Sequence, residues 1–113
     1  MTARNTLTAN PPYAVDQAIR RLGADLHTAR LRRNLTIAAV AQKIGTGPRA
    51  VADAEKGKPS TSIAVYAALL WAYGMVERLG SAADPASDQE GLTLSLAGER
   101  DRARSTNSLD DNF

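Results

Sequence analysis

Residues 35–60 read LTIAAVAQKIGTGPRAVADAEKGKPS, and the punctuation of this stretch decides the fold. Thr36 stands where an N-cap side chain accepts from the amides of the following turn, so a short helix is predicted over 37–44. Gly45-Thr46-Gly47 is a tight turn, because glycine visits positive φ without a Cβ penalty. Pro48 is a favoured first helical residue, and a second short helix runs from it to about Glu55. Lys56-Gly57-Lys58-Pro59 stops that helix. Ala38, Ala41, Ala50 and Ala54 are small side chains where two such helices must approach closely.

Outward from this pair, Ile19, Leu22, Leu26 and Ala29 fall at helical spacing and lay one apolar stripe along a preceding helix between Ala14 and Arg33, which Gly23 weakens slightly. On the other side, Ser60 or Thr61 is predicted to cap a helix whose broad apolar face carries Ile63, Tyr66, Ala67, Leu70, Trp71 and Met75, with Gly74 as a bend. Trp71, Tyr66 and Tyr73 are expected in the core or a dimer interface rather than in a ligand cage. The fold class is therefore all-α, a four- to five-helix domain over residues 14–80. Residues 1–13, which end in Asn10-Pro11-Pro12, read as a flexible arm. Residues 81–98 are a polar linker followed by Leu92, Leu94 and Leu96 in period-two alternation, a short dimerisation strand with a fifth helix as the alternative. Residues 99–113 are charged and rich in Ser, Asn and Asp, and read as a disordered tail.

The 113-residue chain has room for one domain, too little for a large catalytic cleft. It has no cysteine and one histidine, which excludes thiolate chemistry, disulfides and the usual zinc sites. No catalytic residues, metal or cofactor are expected, and the chain is not read as an enzyme. His27 is assigned to the helix surface, and Glu77, Asp84, Asp88 and Glu90 to solvated segments. No long apolar run or signal-peptide pattern is present, so a cytoplasmic protein without membrane contact is expected. The net charge of +2 divides unevenly: residues 1–60 carry ten Lys/Arg against four Asp/Glu, and residues 61–113 carry four against eight. The N-terminal half, at +6, suits a polyanion.

Two short helices on a glycine turn expose the start of the second, and in a helix-turn-helix those residues enter the major groove while the first helix crosses the backbone. Arg49 is thus the leading base contact, since its planar fork matches guanine O6 and N7. Gly47, Pro48 and Ala50 border it with small or apolar surface, and Asp53 can accept from cytosine or repel phosphate. Thr36, Lys43, Thr46, Lys56 and Lys58 suit phosphate anchoring, which sets register and not sequence. Arg100, Arg102 and Arg104 are either a solvated tail or further phosphate contacts. One such unit reads few bases, so a homodimer on double-stranded operator DNA is expected, joined through the helix after Ser60, the segment that follows and Leu92–Leu96. Leu109 and Phe113, beside Asp110 and Asp111, are suited to a protein partner rather than to DNA.

From Leu22 to Leu79 the chain resembles the Xre/Cro-type helix-turn-helix regulators: Arg30, Leu35-Thr36, Gly45 and Glu55-Lys56-Gly57 stand where that family carries its common pattern. SIAVYAALLWAYGMVERLGSAADP, residues 62–85, followed by Arg102-Ala103-Arg104 and the terminal LDDNF, is similar to HipB-type antitoxins. The resemblance implies autorepression of the operon, binding of a HipA-type Ser/Thr kinase, and an Arg30–Glu55 ion pair linking the first and third helices. The alternative is a helical protein-interaction module that binds the kinase without specific DNA readout. Two departures from the family stand at the interface. Ile37 replaces the usual glutamine that bonds a phosphate, and Gly47-Pro48 replaces a serine cap.

Overall fold

The computed structural model describes residues 6–110, with side chains as far as residue 106. By its contacts the chain divides into two units, Met1–Leu79 and Gly80–Phe113.

The first unit opens with a single helical turn, α1 (Thr6–Ala9), inside the segment expected to be a flexible arm. α2 (Tyr13–Arg32) follows Pro12 and spans 20 residues. Its Leu26, Ala29 and Arg30 turn inward, and Asn34 leaves the helix at φ 53°. The two short helices form as the local signals require. α3 (Ile37–Ile44) is capped by Thr36, whose hydroxyl accepts from the Ala39 amide at 3.1 Å. Gly45 closes it at φ 81°, and α4 (Pro48–Glu55) starts one residue after Gly47. α5 (Ile63–Ala72) is capped by Ser62, which accepts from the Ala64 amide. The cap therefore falls one or two residues later than the expected Ser60 or Thr61, which stand in the preceding turn, where the Thr61 amide bonds the Lys58 carbonyl. Gly74, at φ 74°, ends the α5 segment rather than bending it, and α6 (Val76–Gly80) restarts the chain.

The core gathers one stripe from each of α2 to α5. Leu26, Val40, Val51 and Leu69 are its largest fully buried side chains, each worth ~1.5 to 3 kcal/mol of burial. Ala41 and Ala54 let α3 and α4 approach, and Ile19, Leu22, Met75 and Leu79 pack around the edge. On α5 and its C-cap the inward positions are Tyr66, Leu69, Leu70 and Tyr73, an i, i+3, i+4, i+7 set. Trp71 lies one step round from that stripe and is 57 % exposed, so it does not belong to the core of its own chain. Gly23 is also recast. A Cβ there would meet the Ala54 carbonyl oxygen at 2.5 Å and the Gly57 amide nitrogen at 2.7 Å, and a Cβ on Gly57 would meet the Arg20 Cα at 2.5 Å. The two glycines let α2 lie directly on the end of α4.

In the second unit a 3₁₀ turn (Pro85–Ser87) is capped by Asp84 and precedes α7 (Gln89–Asp110). The short strand expected at Leu92–Leu96 is therefore corrected to helix. Asp88 accepts from the Gly91 amide at 3.0 Å and starts the helix. Ala97, Glu99, Arg100, Arg102, Ala103 and Arg104 are good helix formers that extend it, whereas a strand would need a pairing edge. Residues 99–110, expected to be disordered in isolation, continue the same helix.

Candidate nucleic-acid interface

The turn between α3 and α4 determines what the surface offers. Gly45 and Thr46 direct their amides back to the Ala41 carbonyl at 3.0 and 2.9 Å, which completes the end of α3 and leaves the start of α4 projecting. Gly47 provides no side-chain cap, and Pro48 is the first residue of α4. Arg49 follows on the exposed surface, with Ala50 partly covered behind it. Neither Arg49, Lys43 nor Lys56 has an ion-pair partner among the described residues. Three cations thus stand free on the exposed surfaces of α3, of α4 and of the residue after α4.

Other polar side chains in the same region are already engaged. The Thr36 hydroxyl accepts from the Ala39 amide in its cap, which leaves its O–H able to donate. Asp53 and Lys58 pair with each other, Nζ to Oδ1 at 3.1 Å, and both side chains remain partly exposed. Thr46 is half-buried in the turn. Ile37 packs its side chain against the core, where a glutamine amide would have to remain outside.

Beneath the helix pair, Arg30 joins α2 to α4. Its Nε donates to Glu55 Oε2 at 2.7 Å, its Nη2 to Glu55 Oε1 at 2.9 Å, and its Nη1 to the Leu35 carbonyl at 2.9 Å. Both side chains are buried, at 9 % and 6 % exposure. Burial pushes the Glu55 carboxyl up, but the hydrogen bonds and charges of Arg30 and His27 outweigh it and hold the group below the usual carboxylate range. Donating to Glu55 raises the Arg30 guanidinium further, so the pair stays charged.

His27 is the member that the sequence reading missed. Its Nδ1 lies 2.7 Å from Glu55 Oε1, making the pair a three-residue cluster. The signal was present, since His27 is three residues before Arg30 and shares its helix face. Arg33 is a second omission. It bonds the Ala29 and Tyr73 carbonyls and lies 5.2 Å from the Tyr73 ring centroid, tying the end of α2 to α5 rather than serving DNA. Phe113 and the Leu109 side chain lie outside the described residues. Among the described residues no group of three or more His, Cys, Asp or Glu is placed to hold a metal ion, and no helix is long and apolar enough to cross a membrane.

Residues 21–80 match the family model of the helix-turn-helix domain. No curated protein and no solved structure matches the chain.

Proposed function

The chain belongs to the helix-turn-helix domain family, whose model covers more than half of it, and from that premise we propose that it is a sequence-specific DNA-binding antitoxin that autorepresses its operon. The observation that supports this most is Arg49, exposed and unpaired at the second residue of α4 with Lys43 and Lys56 on the flanking surface. A guanidinium there can read guanine, while the two lysines fix register on phosphates. The working form is a cytoplasmic homodimer on operator half-sites about one helical turn apart, ~34 to 36 Å. Its pairing surface is the outer face of α5, where Ile63 and Trp71 are exposed on a helix without a charged residue. The protein partner is a HipA-type Ser/Thr kinase. Support for it comes from the family resemblance of residues 62–85 and from the acidic C-terminal half, with Leu109 and Phe113 as its anchors.

Fluorescence anisotropy with the DNA upstream of its own gene, against a random duplex and over a salt series, tests the DNA reading. Specific binding tighter than random by at least ~10³ is expected. Equal affinity for the two duplexes would refute sequence-specific repression. Removal of Leu109–Phe113 is expected to weaken kinase binding and leave DNA affinity intact. The second reading, a partner-binding module without DNA readout, is favoured by the Asp53–Lys58 pair and by Ile37, whose side chain packs against the core, and predicts kinase binding with no duplex binding at all.

A further inference from the structure

Between α2 and the end of α4 lies a cleft of about 530 Å³, with Thr28 and Ile37 in its walls and Arg30, Glu55, His27 and Lys56 as its polar lining. Arg30 and Glu55 are buried in it, whereas the His27 side chain is 49 % exposed and Lys56 is exposed. A carboxylate only accepts, so at 2.7 Å from Glu55 Oε1 the His27 Nδ1 carries a proton. The neutral ring then keeps its lone pair on Nε2, which has no hydrogen-bond partner among the described residues.

A second proton, on Nε2, turns that atom into a donor and the ring into a cation. Glu55 favours this charge. Arg30, whose Nη2 is 3.3 Å from Nδ1, and Lys56 on the same cleft oppose it. From α5, Tyr73 faces the Arg30–Glu55 pair, and α3 contributes Ile37 to the lining, a side chain without charge. With the ring charged, three cations line the cleft with one carboxylate, a surplus of positive charge that suits an anion. Lys56 belongs both to this cleft and to the candidate interface, and Ile37 is the first residue of α3. An anion that runs along the helix pair would pass this cleft.

We propose that the α2/α4 cleft seats a backbone phosphate of bound duplex DNA, held by Lys56 and by the Nε2–H of charged His27, so that DNA binding takes up a proton at this histidine. The proposal rests on the DNA-binding reading. It adds a site on α2, outside the helix pair, and a pH dependence that the helix pair alone does not have. His27 is the only histidine and the chain has no cysteine, so no other side chain of ordinary acidity changes charge between pH 5 and 8.

Phosphate contact is independent of sequence, so a random duplex of ~20 base pairs serves as the probe. Anisotropy with the full chain at pH 6, 7 and 8 and constant ionic strength is expected to show affinity rising about five- to tenfold as pH falls. His27→Gln keeps a donor toward Glu55 but cannot be charged, and should bind with an affinity that does not change with pH. Lys56→Gln should bind more weakly at every pH and keep the rise. The single imidazole also reports directly by NMR in the unaltered protein: duplex should move its ring signals, and inorganic phosphate at the same ionic strength should not. Wild-type protein that binds no duplex overturns the DNA reading and this site together. Wild-type binding with an unchanged pH profile in His27→Gln overturns this site alone, as does free phosphate that moves the imidazole as far as duplex does.

Discussion

Arg49 and Glu55 show how differently two charged residues of one short helix act. Arg49 is exposed and unpaired, so its removal should cost no stability. If it reads guanine, Arg49→Ala should lose ~1 to 3 kcal/mol of discrimination, measured as the ratio of operator to random affinity, with thermal unfolding unchanged. Glu55 is buried against Arg30, and its loss leaves a guanidinium without its counterion. Glu55→Gln is expected to cost ~3 to 5 kcal/mol in urea unfolding, the range for breaking a buried pair from one side. The pH dependence has a definite sign. The folded carboxyl is held below the ordinary value, so the unfolded chain takes up the proton first as pH falls. The contribution of Glu55 is thus complete above the unfolded glutamate value of ~4.3 and disappears as pH drops through the lower folded one. Stability measured from pH 6 to 3 should fall less steeply in Glu55→Gln than in wild type.

At the scale of elements, the α2 crossing over α4 is the feature most sensitive to a single methyl group. Alanine at Gly23 would gain ~1 kcal/mol of helix propensity. Its Cβ, however, would meet three backbone atoms of residues 54, 55 and 57 at 2.5 to 2.9 Å, and backbone cannot rotate aside as a side chain can. Overpacking of this kind typically costs ~1 to 3 kcal/mol, so Gly23→Ala should be net destabilising and should lower the urea midpoint without changing the slope. Gly47 is the control, because a Cβ there meets nothing within 4 Å and its φ is −81°. Gly47→Ser adds a capping oxygen at the start of α4 and should stabilise by a few tenths of a kcal/mol.

For the whole molecule, every buried core residue among the described ones lies between Leu26 and Tyr73, and the last residue packed against that core is Leu79. A chain ending at Gly80 should therefore unfold cooperatively, with a melting temperature within a few degrees of the full protein. A large drop would mean that residues 81–113 contribute to the stability of the first unit. The proposed homodimer depends on a different surface. Trp71 is 57 % exposed and Ile63 is 65 % exposed on the same helix, and a large aromatic on a surface without charged neighbours along its helix is costly to leave in water. If α5 is the dimer surface, Trp71→Glu should convert a dimer to a monomer in sedimentation at tens of micromolar and weaken operator binding by at least tenfold. Its unfolding free energy per monomer should change little, since this indole is not core.

The all-helical class and the α3–turn–α4 unit were legible in residues 35–60 because their signals are local: a threonine cap, glycine at positive φ, proline at the first helical position. Leu92–Leu96 was not. Three leucines in five residues satisfy both a two-residue and a helical period over so short a window, and the Asp88 cap with the helix formers after Gly98 decides for helix. Arg30 and Glu55 were paired by resemblance, but that His27 completes the cluster depends on a ring meeting a carboxylate 28 residues away. The roles of Gly23 and Gly57 also lie in a contact between segments far apart in the chain. In isolation the first reads as a weak point of a helix and the second as a stop. Local chemistry determined where helices begin and end, since caps and turns act within four residues. The tertiary structure alone decided which polar groups are drawn into the interior, since Arg30 and His27 of α2 reach Glu55 of α4 only where the two helices cross.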